Sequence, residues 1–126
     1  MEIREFAERV FFAQTLEEKL LDVSHVLLSD RDPGQSLDWQ EPGRPVFLRP
    51  AGRTKGKRLP SAEAMAQVEH RIRVLHTFAN HELMAIELMA WALLFFPDAP
   101  VGFRRGVLSI LEDEQRHFQW LSLIHI

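Results

Sequence analysis

Between Ser61 and Phe96 the chain contains neither proline nor glycine. A run that long without a residue that removes an amide donor or loosens the backbone predicts one long helix. Ser61, directly after Pro60, is a candidate N-cap for it, because a serine oxygen can accept one of the unpaired first-turn amides. Pro97 ends the run, Asp98 offers a cap for the next helix, and Pro100 is tolerated in its first turn. That last helix is expected to run from Ala99 toward the C-terminus. Two shorter helices are predicted upstream. Residues 2–13 place Ile3, Phe6, Ala7 and Val10 on one face. Thr15-Leu16-Glu17-Glu18 has the form of a capping box and should open a second helix reaching about Leu28. No alternating apolar–polar pattern competes, so the class is all-α.

The middle third reads differently. Residues 31–60 hold five of the seven prolines and four of the six glycines. They carry seven basic and three acidic groups, against three and seven in residues 1–30 and five and eight in residues 61–126. The expected organisation is therefore an N-terminal helical segment (1–30), a Pro/Gly-rich basic connection (31–60) and a helix hairpin (61–120). At 126 residues, 46% hydrophobic and 26% charged, the chain has room for a single core. The absence of cysteine excludes disulfides, thiolate metal sites and thiol catalysis. A net charge of −3 argues against a dedicated nucleic-acid surface. The longest apolar run, Leu83 to Phe96, is broken by Glu87 and falls short of the roughly 20 residues of a membrane span. Glu2, Arg4 and Glu5 do not resemble the start of a signal peptide. A cytoplasmic location with no membrane partner is expected.

Two predicted helices carry carboxylates in otherwise apolar rows. On the long helix the row is Val68, Ile72, Leu75, Ala79, Glu82, Ile86, Met89, Leu93. On the last helix it is Phe103, Val107, Ile110, Glu114, His117, Leu121. A carboxylate among hydrocarbon must neutralise itself, pair or bind a metal. Glu114 and His117 are three apart and share a helix face. Glu82 lies fifteen residues before Pro97 and Glu114 fifteen after Ala99. In an antiparallel hairpin both stand about 22 Å from the turn, whereas Glu87 would be about 7.5 Å out of level. Two carboxylates and an imidazole with open positions suit Fe(II) or Mn(II) better than a closed zinc site. A structural ion pair is the competing reading for Glu82, with His81 and Arg116 as candidate partners.

The residues His81-Glu82-Leu83-Met84-Ala85-Ile86-Glu87-Leu88-Met89-Ala90-Trp91-Ala92, followed by Phe96–Pro100, Phe103–Gly106 and Asp113–His117, resemble a family of bacterial ferritin-like proteins described as a domain of unknown function. Phe6–Val10 and Thr15–Leu20 fit the same family. The resemblance implies a ferritin-like helical bundle, with this chain as its N-terminal half and a long antiparallel helix hairpin as its core. It implies Glu82 as a terminal ligand, Glu114 as a bridging ligand and His117 as the imidazole on the first metal. His81, Glu87 and Arg116 are expected to support those ligands. The cofactor implied is iron, as a di-iron centre in the intact protein, with manganese as the alternative.

The superfamily draws a further Glu and a second Glu-x-x-His from two later helices. The chain is therefore expected to be the N-terminal part of a longer protein. Leu121–Ile126 reads as the translation of a transposon end used in sequencing libraries, so 121–126 is expected to be a non-native tail that includes His125. The implied function is O₂- or peroxide-dependent oxidoreductase or hydroxylase chemistry in the intact protein, with this chain inactive by itself. The alternatives are iron handling or storage, and a metal-free helical interaction module. Expected partners are a small-molecule or RNA substrate and a second copy of the chain. The basic run Arg49, Arg53, Lys55, Lys57, Arg58 reads as a solvated loop. Its Gly52–Lys57 segment lacks the complete phosphate-loop pattern.

Overall fold

The computed structural model describes residues 1–48 and 59–124. The basic run from Arg49 to Arg58 and the final residues His125 and Ile126 lie outside the described residues. Among the described residues there are four α-helices: α1 (Ile3–Phe12), α2 (Leu16–Lys19), α3 (Val68–Phe95) and α4 (Val101–Ile124). Short 3-10 turns occupy Val46–Leu48 and Ala64–Ala66.

The first helix follows the apolar spacing of its sequence. Ile3, Phe6, Ala7 and Val10 are fully buried, and Phe11 extends the same stripe. Thr15 caps α2 as its residue type requires, its Oγ1 accepting the Glu18 amide at 3.2 Å. Glu18 completes only half of the box, because its carboxylate turns to Arg9. The second helix is one turn long and stops at Lys19, not near Leu28. The chain beyond it is drawn into tertiary contacts that a helix would forbid. Gln115 of α4 donates to the carbonyls of Lys19 and Leu21. Further on, Ser29 exchanges backbone hydrogen bonds with Met1 and Ile3, pinning the loop beside the start of α1.

Ser61 does cap, but it caps the 3-10 turn through the Ala64 amide at 3.2 Å. Helix α3 then begins at Val68 and runs 28 residues to Phe95. It packs along α4 and against α1, and Leu83, Ile86, Ala90, Leu93 and Leu94 supply the centre of the core. By length and hydropathy α3 could also cross a membrane, yet these side chains are spent on internal packing. The pairing of Glu82 with His117 and of Leu93 with Arg104 shows that α3 and α4 run antiparallel.

The all-α expectation agrees with this architecture, whereas the expected N-terminal half of a ferritin-like bundle does not. The long apolar helix lies at residues 68–95, so the hairpin occupies the C-terminal half of the chain. The N-terminal half contributes α1, one turn of helix and a segment that reaches α3 through Ser36, Leu37 and Arg44. The physical reason is the Pro/Gly-rich third, which places no α-helix between Lys19 and Val68 among the described residues.

The apolar rows also shift. Phe103 and Ile110 are 56% and 47% exposed. The face of α4 that meets the core is one step round, through Arg104, Val107, Leu108, Leu111, Gln115 and Phe118. Arg104 is 2% exposed and ties three segments together. It donates to both Asp30 carboxylate oxygens, at 2.8 and 3.0 Å, and to the Leu93 and Phe96 carbonyls at the end of α3. The Leu93 carbonyl would take its helical bond from residue 97, a proline with no amide, so the guanidinium caps it; the Phe96 carbonyl also accepts the Ala99 amide.

Candidate metal site

Glu82 projects from α3, and Glu114 and His117 from one face of α4. The i, i+3 spacing brings His117 Nδ1 to 3.3 Å from Glu114 Oε2. Across the hairpin the same nitrogen is 3.8 Å from Glu82 Oε2. One ligand atom from each of the three lies within 4.8 Å of the others. The level argument from the turn therefore agrees with the register that the hairpin adopts.

Because the buried stripe of α4 is rotated, this cluster sits at the edge of the α3–α4 seam and not deep within it. The side chains of Glu82, Glu114 and His117 keep 27%, 21% and 45% of their exposure. The Trp120 ring flanks His117, with centroids 5.7 Å apart. Two carboxylates and an imidazole converging in a half-exposed seam form a donor set with room for further ligands. That arrangement has a general capacity to hold a metal ion. Without one, a protonated His117 would serve the carboxylates as an ion-pair partner.

The other three residues singled out from sequence stand elsewhere. His81 is exposed and lines a cavity formed with the loop around Trp39. Arg116 is exposed and pairs with Asp113 on its own helix. Glu87 is 4% exposed and accepts two hydrogen bonds from Arg44, one of them from Nε at 2.7 Å. Lys19 Nζ stands 3.0 Å from Glu87 Oε2, the oxygen that also accepts from Arg44 Nε, and donates to the Phe11 carbonyl. Burial pushes the Lys19 ammonium below its usual pKa, and the Glu87 charge opposes that shift.

Arg44 and Lys19 escaped the sequence reading. The only available signal was Glu87 itself, a carboxylate between Leu83 and Trp91 that needs a counter-charge. Nothing in a proline-rich loop marks which cation returns to supply it. The loop returns by a close backbone approach: Gly43 donates to the Phe11 carbonyl at 2.9 Å. Any Cβ at Gly43 would overlap the Phe12 carbonyl.

Fold and site together define an all-α domain built on an antiparallel helix pair, with a carboxylate–imidazole cluster on the seam. The chain belongs to the family described as Protein of unknown function (DUF455), whose sequence pattern matches residues 3–124. No curated protein and no solved structure matches it.

Proposed function

We propose that Glu82, Glu114 and His117 hold a divalent transition metal, and that the protein serves O₂- or peroxide-dependent oxidoreductase chemistry at that ion. The observation that carries the reading is the convergence of three ligand atoms from two helices within 4.8 Å. Two carboxylates and one imidazole favour Fe(II) or Mn(II), and the resemblance to ferritin-like carboxylate proteins favours iron. When bound, such an ion supplies one-electron chemistry and an open position for an oxidant. The chain's own contribution is positional. Glu82 comes from one helix and Glu114 with His117 from the other, so the ion would cross-link the hairpin. The partial exposure of all three leaves room for a small substrate or for ligands from another chain.

The test is an anaerobic Fe(II) titration and a parallel Mn(II) titration, followed by calorimetry and electron paramagnetic resonance. One ion per chain is expected. At a hundredfold excess over Kd it should add about 2.7 kcal/mol of stability and raise Tm by roughly 10 °C. The Glu82→Gln, Glu114→Gln double variant should lose both effects. Oxygen uptake on Fe(II) loading, absent in the double variant, supports the oxidoreductase reading. Iron accumulation far beyond one ion per chain without substrate turnover would replace it with iron storage. No binding at millimolar metal would overturn it in favour of a metal-free ion-pair cluster.

A further inference from the structure

The carboxylate–imidazole cluster stands on a face that the described residues leave uncovered. Ile110 precedes Glu114 by one turn of α4 and His117 by two, and Phe103 lies two turns before Ile110, so all four share one stripe. Phe78 precedes Glu82 by one turn of α3 in the same way. Phe78, Phe103 and Ile110 are each about half exposed. They border the partly exposed Glu82, Glu114 and His117 with hydrocarbon, which is how a contact surface differs from scattered exposed side chains.

Gly106 indicates what kind of element covers this face. It lies within α4 between Phe103 and Ile110, and a Cβ added there, or at Gly102 one turn earlier, would meet nothing within 4 Å. Glycine weakens a helix relative to alanine, and packing inside the chain gives no reason for either residue. A helix from outside gives one, because backbones approach closely only where a side chain is missing. The size of the face fits a second copy. Helix α4 has 24 residues. It is therefore about 36 Å long, and a pair of packed helices is about 20 Å across, a footprint of roughly 700 Å². Each partner in a stable interface of standard size buries about 800 Å². Ile110 and Glu114 stand near the middle of α4, so a twofold axis through the centre of the face sets each cluster opposite its own copy.

Charge decides when two copies can join. Each cluster brings two carboxylates, so bare copies would press four together, which is repulsive. One divalent ion per chain cancels that charge. Such an ion also has coordination positions that the three ligands of one chain do not fill.

We propose that this face pairs with a second copy of the chain in a metal-dependent dimer, in which each copy supplies a carboxylate to the other's ion. The inference rests on the metal reading of Glu82, Glu114 and His117 and names the partner that completes that site.

The test is sedimentation equilibrium of the full chain at micromolar concentration, with Mn(II) under anaerobic conditions and separately with chelator. The dimer should be about tenfold or more tighter with Mn(II) than with chelator. Phe103→Asp and Ile110→Asp, both at solvent-exposed positions, should fold as the parent does by circular dichroism and weaken the dimer about tenfold or more. Gly106→Leu should weaken it likewise while the Tm of the monomer does not fall, because leucine favours the helix and has open space there. The Glu82→Gln, Glu114→Gln variant removes the repulsion, so in chelator it should dimerise about tenfold or more tighter than the parent. A chain that binds Mn(II) and stays monomeric overturns this inference and leaves the metal reading standing. A chain that binds no Mn(II), but whose double variant dimerises in chelator, overturns the metal reading and leaves the shared face standing. A dimer indifferent to Ile110→Asp and Gly106→Leu uses another surface, and the inference is then wrong.

Discussion

Replacing Glu87 by glutamine keeps the side-chain volume and removes one charge. The consequence follows from what surrounds it. Arg44 is 7% exposed and Lys19 fully buried, and both direct their charge at this carboxylate. After the substitution two buried cations face a neutral amide. Removing one member of a buried ion pair typically costs about 3–5 kcal/mol, most of it the penalty of leaving the partner charge uncompensated. A domain of this size has only about 5–15 kcal/mol to lose. Urea unfolding should therefore show the midpoint collapsing, with Tm lower by roughly 10–20 °C. Lys19→Met is the informative control. It removes a cation and leaves no group stranded: Glu87 retains Arg44, and the Phe11 carbonyl retains the Gly43 amide. Its cost should be about 1 kcal/mol or less, since an apolar replacement that orphans nothing is tolerated. If Glu87→Gln costs under about 1 kcal/mol, or if Lys19→Met costs as much as Glu87→Gln, the account of this triad is wrong.

Gly43→Ala should destabilise the fold by about 2 kcal/mol or more, read by chemical denaturation, because its Cβ meets backbone and not a side chain that could move aside. Burial raises the pKa of Glu112 above 4.5, with the neighbouring Arg116 charge opposing the shift. The native state then holds this proton more tightly than the unfolded chain, so the contribution of Glu112 to stability falls as pH rises from 4.5 through its folded pKa. Glu112→Gln should accordingly stabilise the protein at pH 7, and the gain should vanish at pH 4. A gain that persists unchanged at pH 4 would contradict the assignment.

The candidate site was legible because it rests on local rules. Helical spacing puts Glu114 and His117 on one face whatever surrounds them. Counting outward from Pro97 and Ala99 sets Glu82 at their level, because two antiparallel helices joined by a short turn have a fixed register. The burial of the site was less legible. An i, i+3/i+4 row specifies a stripe only to within about one residue's rotation, and here the stripe that meets the core runs through Arg104, Leu108, Leu111 and Gln115. The second helix failed for a related reason. Leu20, Leu21 and Val23 have the composition of a helix, but Gln115 and the pairing of Ser29 with the start of α1 claim that backbone first.

From sequence alone follow the all-α class, the span of the breaker-free helix to within a turn at its end, the apolar face of α1 and the coincidence of Glu82, Glu114 and His117. Each depends on residues close in the chain or related by one turn. Tertiary structure alone decides which buried charges meet. Arg44 reaches Glu87 across 43 residues and Arg104 reaches Asp30 across 74. A guanidinium can satisfy any carboxylate within reach, so its partner is set by where the Pro/Gly-rich loop lies once α1 has covered the hairpin. The same packing creates the cavity beside Trp91, whose walls come from segments that share no local pattern.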